Sequence, residues 1–191
     1  MIYSCYSKGE DLLTHERQSA VAGELLRIGL FNEYGIMEDE VIKNASGKPS
    51  LKENRDIRFS VSHCDHAVTV ILSRYPVGID IERVRRFDAY AAKRVLTEIE
   101  MEALRESAEM DDTFFKYWTL KESYMKALGC GFSYPVKKLN ISISDEKIIS
   151  NRPFAAFHIL EGNIGFITSV CHLGEPETIE EELREIRITI P

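Results

Sequence analysis

Residues 67–82 read Ala-Val-Thr-Val-Ile-Leu-Ser-Arg-Tyr-Pro-Val-Gly-Ile-Asp-Ile-Glu. Ala67 to Leu72 is nearly all apolar and rich in β-branched residues, which predicts a strand covered on both faces. Pro76 separates it from a second predicted strand, Val77 to Glu82. Side chains alternate along a strand, so Val77, Ile79 and Ile81 point into a core. Gly78, Asp80 and Glu82 then share the opposite face, leaving two carboxylates beside a residue with no side chain. Like charges at that separation repel unless something positive lies between them. A divalent cation is one answer: oxygen-only donors select hard ions, and Mg²⁺ usually takes one or two carboxylates plus water and phosphate oxygens. A solvated strand face with a chance Asp and Glu is the competing reading.

Working outward, helix signals flank this pair of strands. Thr14 caps a helix to about Ile28 with a Val21, Leu25, Ile28 stripe, and Gly29 and Gly35 mark its exit. A short extended stretch, Val41 to Lys43, precedes a turn at Ser46-Gly47-Lys48-Pro49. Phe59-Ser60-Val61 reads as a strand running into a turn-like cluster, Ser62-His63-Cys64-Asp65. Helix follows at Asp88 to Leu96, then a capping box at Thr97-Glu98-Ile99-Glu100. The longest helix runs from Asp111-Asp112 to Leu128, with Gly129 as its left-handed stop. The remainder predicts strands at Leu139 to Ser144, Phe154 to Leu160 and Gly165 to His172, the last two joined by a turn at Glu161-Gly162-Asn163. The tail from Glu175 is acidic and carries no functional signal. Helix followed by apolar strands in both halves hints at a duplicated α/β unit.

On the long helix, Trp118, Glu122 and Lys126 are spaced i, i+4, i+8 and stack along one side. A third carboxylate and a lysine can therefore face Asp80 and Glu82; the plainer alternative is a surface Glu–Lys pair worth about 0.3–0.5 kcal/mol. His63 stands between two strands, where side chains and amides can meet a phosphate; a hydrogen bond within its own turn is the commoner fate of a lone histidine. His63-Cys64-x-His66 has zinc-type donors, but Asp80, Glu82 and Glu122 are harder ligands and no second Cys/His cluster follows. There is no G-x-S-x-G elbow, no Walker A loop and no G-x-G-x-x-G run.

Composition narrows the class. The chain has 191 residues, 44% of them hydrophobic and 29% charged, with a net charge of −7. That suits one globular unit able to fold without staples and disfavours nucleic acid as a partner, which needs a basic face. No run approaches the roughly 18 apolar residues of a membrane span. The N-terminus, MIYSCYSKGE, has neither a cationic nor an apolar signal region, and four scattered cysteines without a C-x-x-C pair read as reduced thiols. The expected location is the cytoplasm.

Taken in order, these segments resemble the 4'-phosphopantetheinyl transferases of the surfactin type. Gly47-Lys48-Pro49 matches the family's G-K-P, and Phe59-Ser60-Val61-Ser62-His63-Cys64 its F-N-x-S-H-S. Gly78 to Glu82 matches G-[IV]-D-[IV]-E, and Trp118 to Lys126 matches W-x-x-K-E-[AS]-x-x-K, followed by Ala127 to Gly131 as Ala-Leu-Gly-x-Gly. Ser60 stands where the family has Asn, and Cys64 where it has Ser. The resemblance implies an α/β (α+β) fold, a pseudo-dimer of two similar halves with the active site at their junction, here divided as 1–75 and 76–191. It implies a magnesium-dependent enzyme, active as a monomer, that transfers phosphopantetheine from coenzyme A to a serine of an apo acyl or peptidyl carrier protein, releasing 3',5'-ADP.

The resemblance further implies a role for each residue. Asp80, Glu82 and Glu122 hold the metal, and Lys126 reaches the phosphate bearing the leaving group, with Lys121 a further candidate. Lys48, Ser62 and His63 contact the nucleotide end. Arg17 and Ser19 contact the 3'-phosphate or adenine, with His15 and Arg27 as rivals. Glu100 is the expected base for the serine proton, in competition with its capping-box role and with metal-bound hydroxide. Arg83, Arg85, Arg86, Lys93 and Arg94 form a basic stretch expected to dock the acidic helix of a carrier, with an ordinary solvated segment as the alternative. Two rival readings are a catalytically inactive homologue that binds coenzyme A or a carrier, and an unrelated Mg²⁺-dependent phosphotransferase.

Overall fold

A computed structural model describes residues 1–7, 12–44, 47–144, 147–160, 164–174 and 183–189. The fold is mixed α/β, with two main sheets, each crossed by one long helix. The first sheet contains β1 (Ile2–Tyr6), β4 (Arg58–Cys64), β5 (Ala67–Ser73) and β11 (Glu185–Arg187) in the order β11-β1-β5-β4. The second contains β6 (Val77–Arg83), β9 (Ala155–Leu160) and β10 (Phe166–Leu173) in the order β6-β10-β9. Two small hairpins, β2 (Val41–Lys43) with β3 (Pro49–Leu51) and β7 (Ile141–Ile143) with β8 (Ile148–Ser150), complete the β structure. No helix among the described residues is long and apolar enough to cross a membrane.

Helix α1 (His15–Tyr34) begins at Thr14, whose hydroxyl accepts the Arg17 N–H, and ends at Gly35. It runs through Gly29 instead of stopping there. A Cβ on Gly29 would lie 2.5 Å from Leu72 Cδ1 and 3.0 Å from Tyr3, so this glycine serves a close helix–sheet approach, not an exit. β5 is buried along its whole length, as its apolar run predicts. Val68, Val70 and Leu72 pack with α1 residues such as Leu25, while Ile71 meets Ile2, Val77, Ile79 and Val170 between the sheets.

The shorter helices α2 (Ala89–Val95) and α3 (Glu98–Glu106) lead into α4 (Met110–Leu128), which packs on β6 and β10 and ends at Gly129. The capping box at Thr97 is formed in full. Ser62 to Cys64, expected in a turn, belong to β4, and the β4–β5 turn is Asp65-His66. β1 and β11 were not foreseen. β11 carries the end of the chain back beside β1, in parallel, so the first sheet draws on both halves. The expected turn at 161–163 and residue 46 of the G-K-P turn lie outside the described residues.

Candidate active site

The two main sheets meet along β4 and β6, which lie side by side without sharing a backbone ladder. Two serine hydroxyls take its place: Ser60 Oγ accepts the Ile79 N–H and Ser62 Oγ accepts the Ile81 N–H, each at 3.2 Å. The Ser60 that departs from the family pattern thus has a defined role in the seam. β6 alternates as the sequence predicts, but its polar face is not open. α4 covers it so closely that a Cβ on Gly78 would lie 1.9 Å from the Ser123 carbonyl oxygen and 2.5 Å from the Ala127 nitrogen. The glycine lets the helix settle on the strand, and Asp80 is buried beneath it with 5% of its surface exposed.

Asp80 is held on one side only. Its Oδ1 accepts from Ser62 Oγ at 2.8 Å and from Lys126 Nζ at 2.6 Å. Lys126 Nζ also donates to Ser62 Oγ at 2.8 Å. Its Oδ2 is buried and has no hydrogen-bond partner among the described residues, a costly state for a carboxylate oxygen. Glu82, half-buried, pairs with Arg85 at 2.9 Å. Burial, and then the charges of Asp80 and Glu82, push the Glu122 carboxyl up to about 7, against a smaller opposing pull from Lys126. Glu82 is also raised, chiefly by burial. The three carboxylates from β6 and α4 therefore crowd one another electrostatically.

No three Asp, Glu, His or Cys side chains among the described residues already form a ligating group. Glu82 is turned to Arg85 and Asp80 Oδ1 to Lys126, so side-chain cations stand where an ion would act. The donor set nevertheless fits a hard dication: all-oxygen, mutually repelling, and with a buried lone pair unspent.

Two clefts flank this part of α4. One, of about 340 Å³, is lined by Lys43, Lys48, Ser60, His63 and Lys126. The other, of about 350 Å³, is lined by Arg94, Trp118, Glu122 and Tyr134. His63 is exposed at the end of β4, its ring 6.0 Å from that of His15; burial, then Lys126 and His15, lower its pKa. Arg17 and Ser19 are exposed on α1, and Arg27 pairs with Glu24. His15, weighed as a rival to Arg17, is the α1 residue with a ring contact to the site.

Three expected site residues are tied into the protein frame, Lys48 while also lining the first cleft. Lys48 Nζ donates to the carbonyls of Lys126 at 2.7 Å and Ala127 at 2.8 Å, fastening the C-terminus of α4. Burial lowers its pKa to about 8. Glu100 and Lys121 are both fully buried and ion-paired at 2.9 Å. Glu100 also accepts from Thr97 N and Ile141 N, and Lys121 donates to the Leu139 carbonyl. Within the basic stretch, Arg83 bonds His66 and Arg85 bonds Glu82. Lys43 is a cleft residue that sequence reading missed; a lone lysine in a three-residue strand carries no signal.

The family model of the 4'-phosphopantetheinyl transferase superfamily matches residues 76–183, more than half of the chain. The chain is similar to the 4'-phosphopantetheinyl transferase gsp of Aneurinibacillus migulanus, 38% identical over 122 residues, which are 61% of this chain and 51% of the relative. It is similar to the 4'-phosphopantetheinyl transferase Sfp of Bacillus subtilis, 30% identical over 106 residues, 54% of this chain and 47% of the relative. The chain thus spans about half the length of these curated relatives. A solved structure, the Thermotoga maritima holo-[acyl-carrier-protein] synthase, aligns over 53% of this chain and 64% of its own at 22% identity, with a TM-score of 0.47.

Proposed function

Because the chain belongs to the 4'-phosphopantetheinyl transferase superfamily, we propose that it moves phosphopantetheine from coenzyme A to a serine of an apo acyl or peptidyl carrier protein. The serine hydroxyl gives its proton to water as its oxygen bonds to the phosphorus on the pantetheine side of the pyrophosphate. The P–O bond to the nucleotide breaks, and 3',5'-ADP leaves. The observation that carries this reading is Asp80 Oδ2, buried without a hydrogen-bond partner among the described residues and with Glu82 and Glu122 around it.

Asp80, Glu82 and Glu122 would hold Mg²⁺. Bound there, the ion would act as a Lewis acid and offset the charge that develops as the nucleotide departs. The chain's own residues do the rest. Ser62 fixes the orientation of Asp80 through Oδ1. Lys126, Lys43 and His63 give the nucleotide cleft its positive and donor groups. The cleft walled by Trp118 and Tyr134 suits the less polar pantetheine arm. Lys48 acts through the end of α4, which it fastens, and Glu100 belongs to the frame, because every one of its oxygens is already engaged in burial. The nucleophile comes from the partner, so the chain needs no activated serine or cysteine. Arg86, Lys93 and Arg94, exposed around Tyr90 of α2, present a basic and partly apolar surface that fits an acidic carrier helix.

The test is incubation with coenzyme A, Mg²⁺ and a panel of apo carrier proteins, read by mass spectrometry. The expected result is a carrier heavier by one phosphopantetheine, dependent on Mg²⁺ and lost on chelation. Coenzyme A binding without mass gain on any carrier would favour a binding protein instead.

A further inference from the structure

Glu82 closes the functional end of β6, and three residues later Arg85 begins the basic surface. The two side chains touch. Arg85 Nη1 donates to Glu82 Oε2 at 2.9 Å and to the Arg83 carbonyl at 3.0 Å. Its guanidinium carbon lies 4.9 Å from the centre of the Phe115 ring on α4. The Arg85 side chain is 59% exposed and that of Glu82 only 22%. One end of this contact therefore sits in the carboxylate cluster and the other on the surface beside Arg86.

The cluster is balanced by side chains: Lys126 on Asp80 and Arg85 on Glu82. A dication that takes up Glu82 competes with Arg85 for the same oxygens. Displaced, the guanidinium still has the Phe115 face to rest on, but its fork of donors has lost its carboxylate. A carboxylate on a docking partner restores what was lost.

We propose that Arg85 is a latch coupling cation loading to carrier recognition: it pairs with Glu82 when the cluster lacks an ion and with an acidic carrier surface when the ion is bound. The latch rests on the reading of Asp80, Glu82 and Glu122 as cation ligands. Coupling between two binding events is reciprocal, so the carrier must tighten cation binding by the factor with which the cation tightens carrier binding.

The experiment is titration calorimetry of Mg²⁺ into wild-type protein, Arg85→Gln, Arg85→Lys and Arg86→Gln. Removing a competing ion pair of this kind should tighten Mg²⁺ binding in Arg85→Gln about three- to fivefold. Arg85→Lys should fall between it and wild type. Arg86→Gln removes the same charge one residue away and should change the affinity by less than about twofold. A second titration uses an apo carrier whose modifiable serine is replaced by alanine, with and without Mg²⁺. The wild type and Arg86→Gln should gain carrier affinity on adding Mg²⁺, and Arg85→Gln should lose most of that gain. Equal Mg²⁺ affinities in Arg85→Gln and wild type would overturn the latch alone, as would an undiminished gain in Arg85→Gln. Equal effects of Arg85→Gln and Arg86→Gln would reduce it to overall charge. No Mg²⁺ binding by the wild type would overturn both the latch and the ligand assignment beneath it.

Discussion

Helix α4 carries three lysines at five-residue intervals, and two of them, Lys121 and Lys126, each meet a carboxylate. The first pair is closed. Glu100 and Lys121 are fully buried, and both carboxylate oxygens are engaged, by Thr97 N and Lys121 on one and Ile141 N on the other. The second pair is open. Asp80 and Lys126 share one oxygen with Ser62, while Asp80 Oδ2 has no partner among the described residues. Burying a charge is costly, and complete hydrogen bonding is what makes it tolerable. A completed pair works as a rivet. An incomplete one leaves polar capacity for something the chain itself does not supply.

The contrast breaks first at Glu100. Glu100→Ala leaves Lys121 charged and unpaired in the interior, and the expected loss is about 3–5 kcal/mol of unfolding free energy in urea. A loss below about 1 kcal/mol would show that the closed pair is not a rivet.

At the open site the order reverses, with function lost and stability kept. Glu122→Ala should lower turnover on a carrier by about 10²–10³-fold, the scale for removing one element of transition-state charge stabilisation. Its unfolding midpoint should not fall. Retained turnover would detach Glu122 from the chemistry.

Gly78→Ala probes the close approach on which the open site depends. Its methyl would run into the backbone of Ser123 and Ala127, and overpacking of this kind costs about 1–3 kcal/mol. Thermal unfolding would measure the loss, with turnover falling further than that loss explains, because α4 must lift from Asp80.

The smallest effect is also the sharpest. The Glu122 carboxyl is raised from 4.5 to about 7 in the folded chain. The folded state therefore binds this proton more tightly than the unfolded state does. Stability falls as pH rises from 4.5 to 7, and the penalty is complete above 7. Because the partly exposed side chain is screened by solvent, only part of that shift reaches stability, and Glu122→Gln should stabilise the protein by about 1 kcal/mol at pH 8 and hardly at all at pH 4. On the proposed ligand set, Mg²⁺ should bind more weakly below pH 7 and release protons as it binds. A stability change that is flat with pH would refute the crowding of the carboxylates.

Much of the open site was legible because its residues sit at short, periodic spacings. Asp80 and Glu82 share a strand face, and Glu122 and Lys126 share a helix side, so each half could be read locally. The closed pair was half legible. The capping box named Thr97 and Glu100, but the partners that bury Glu100, Lys121 and Ile141 N, arrive from 21 and 41 residues away. The hold of Lys48 on α4 was not legible for the same reason: its acceptors at Lys126 and Ala127 belong to a helix that lies close only after folding. β1 and β11 were missed because three- and five-residue strands with little alternation acquire their meaning from pairing.

The chain's linear order decided which groups exist for chemistry: three carboxylates, a lysine and a histidine on elements whose period gives each a direction. That much follows from alternation in strands and the turn of a helix, which are local properties of the backbone. Only the packed molecule decided which charges are completed and which are left wanting. Two serine hydroxyls, a missing Cβ at Gly78 and an arginine laid on Phe115 settle that, and all of them act between segments far apart in the chain.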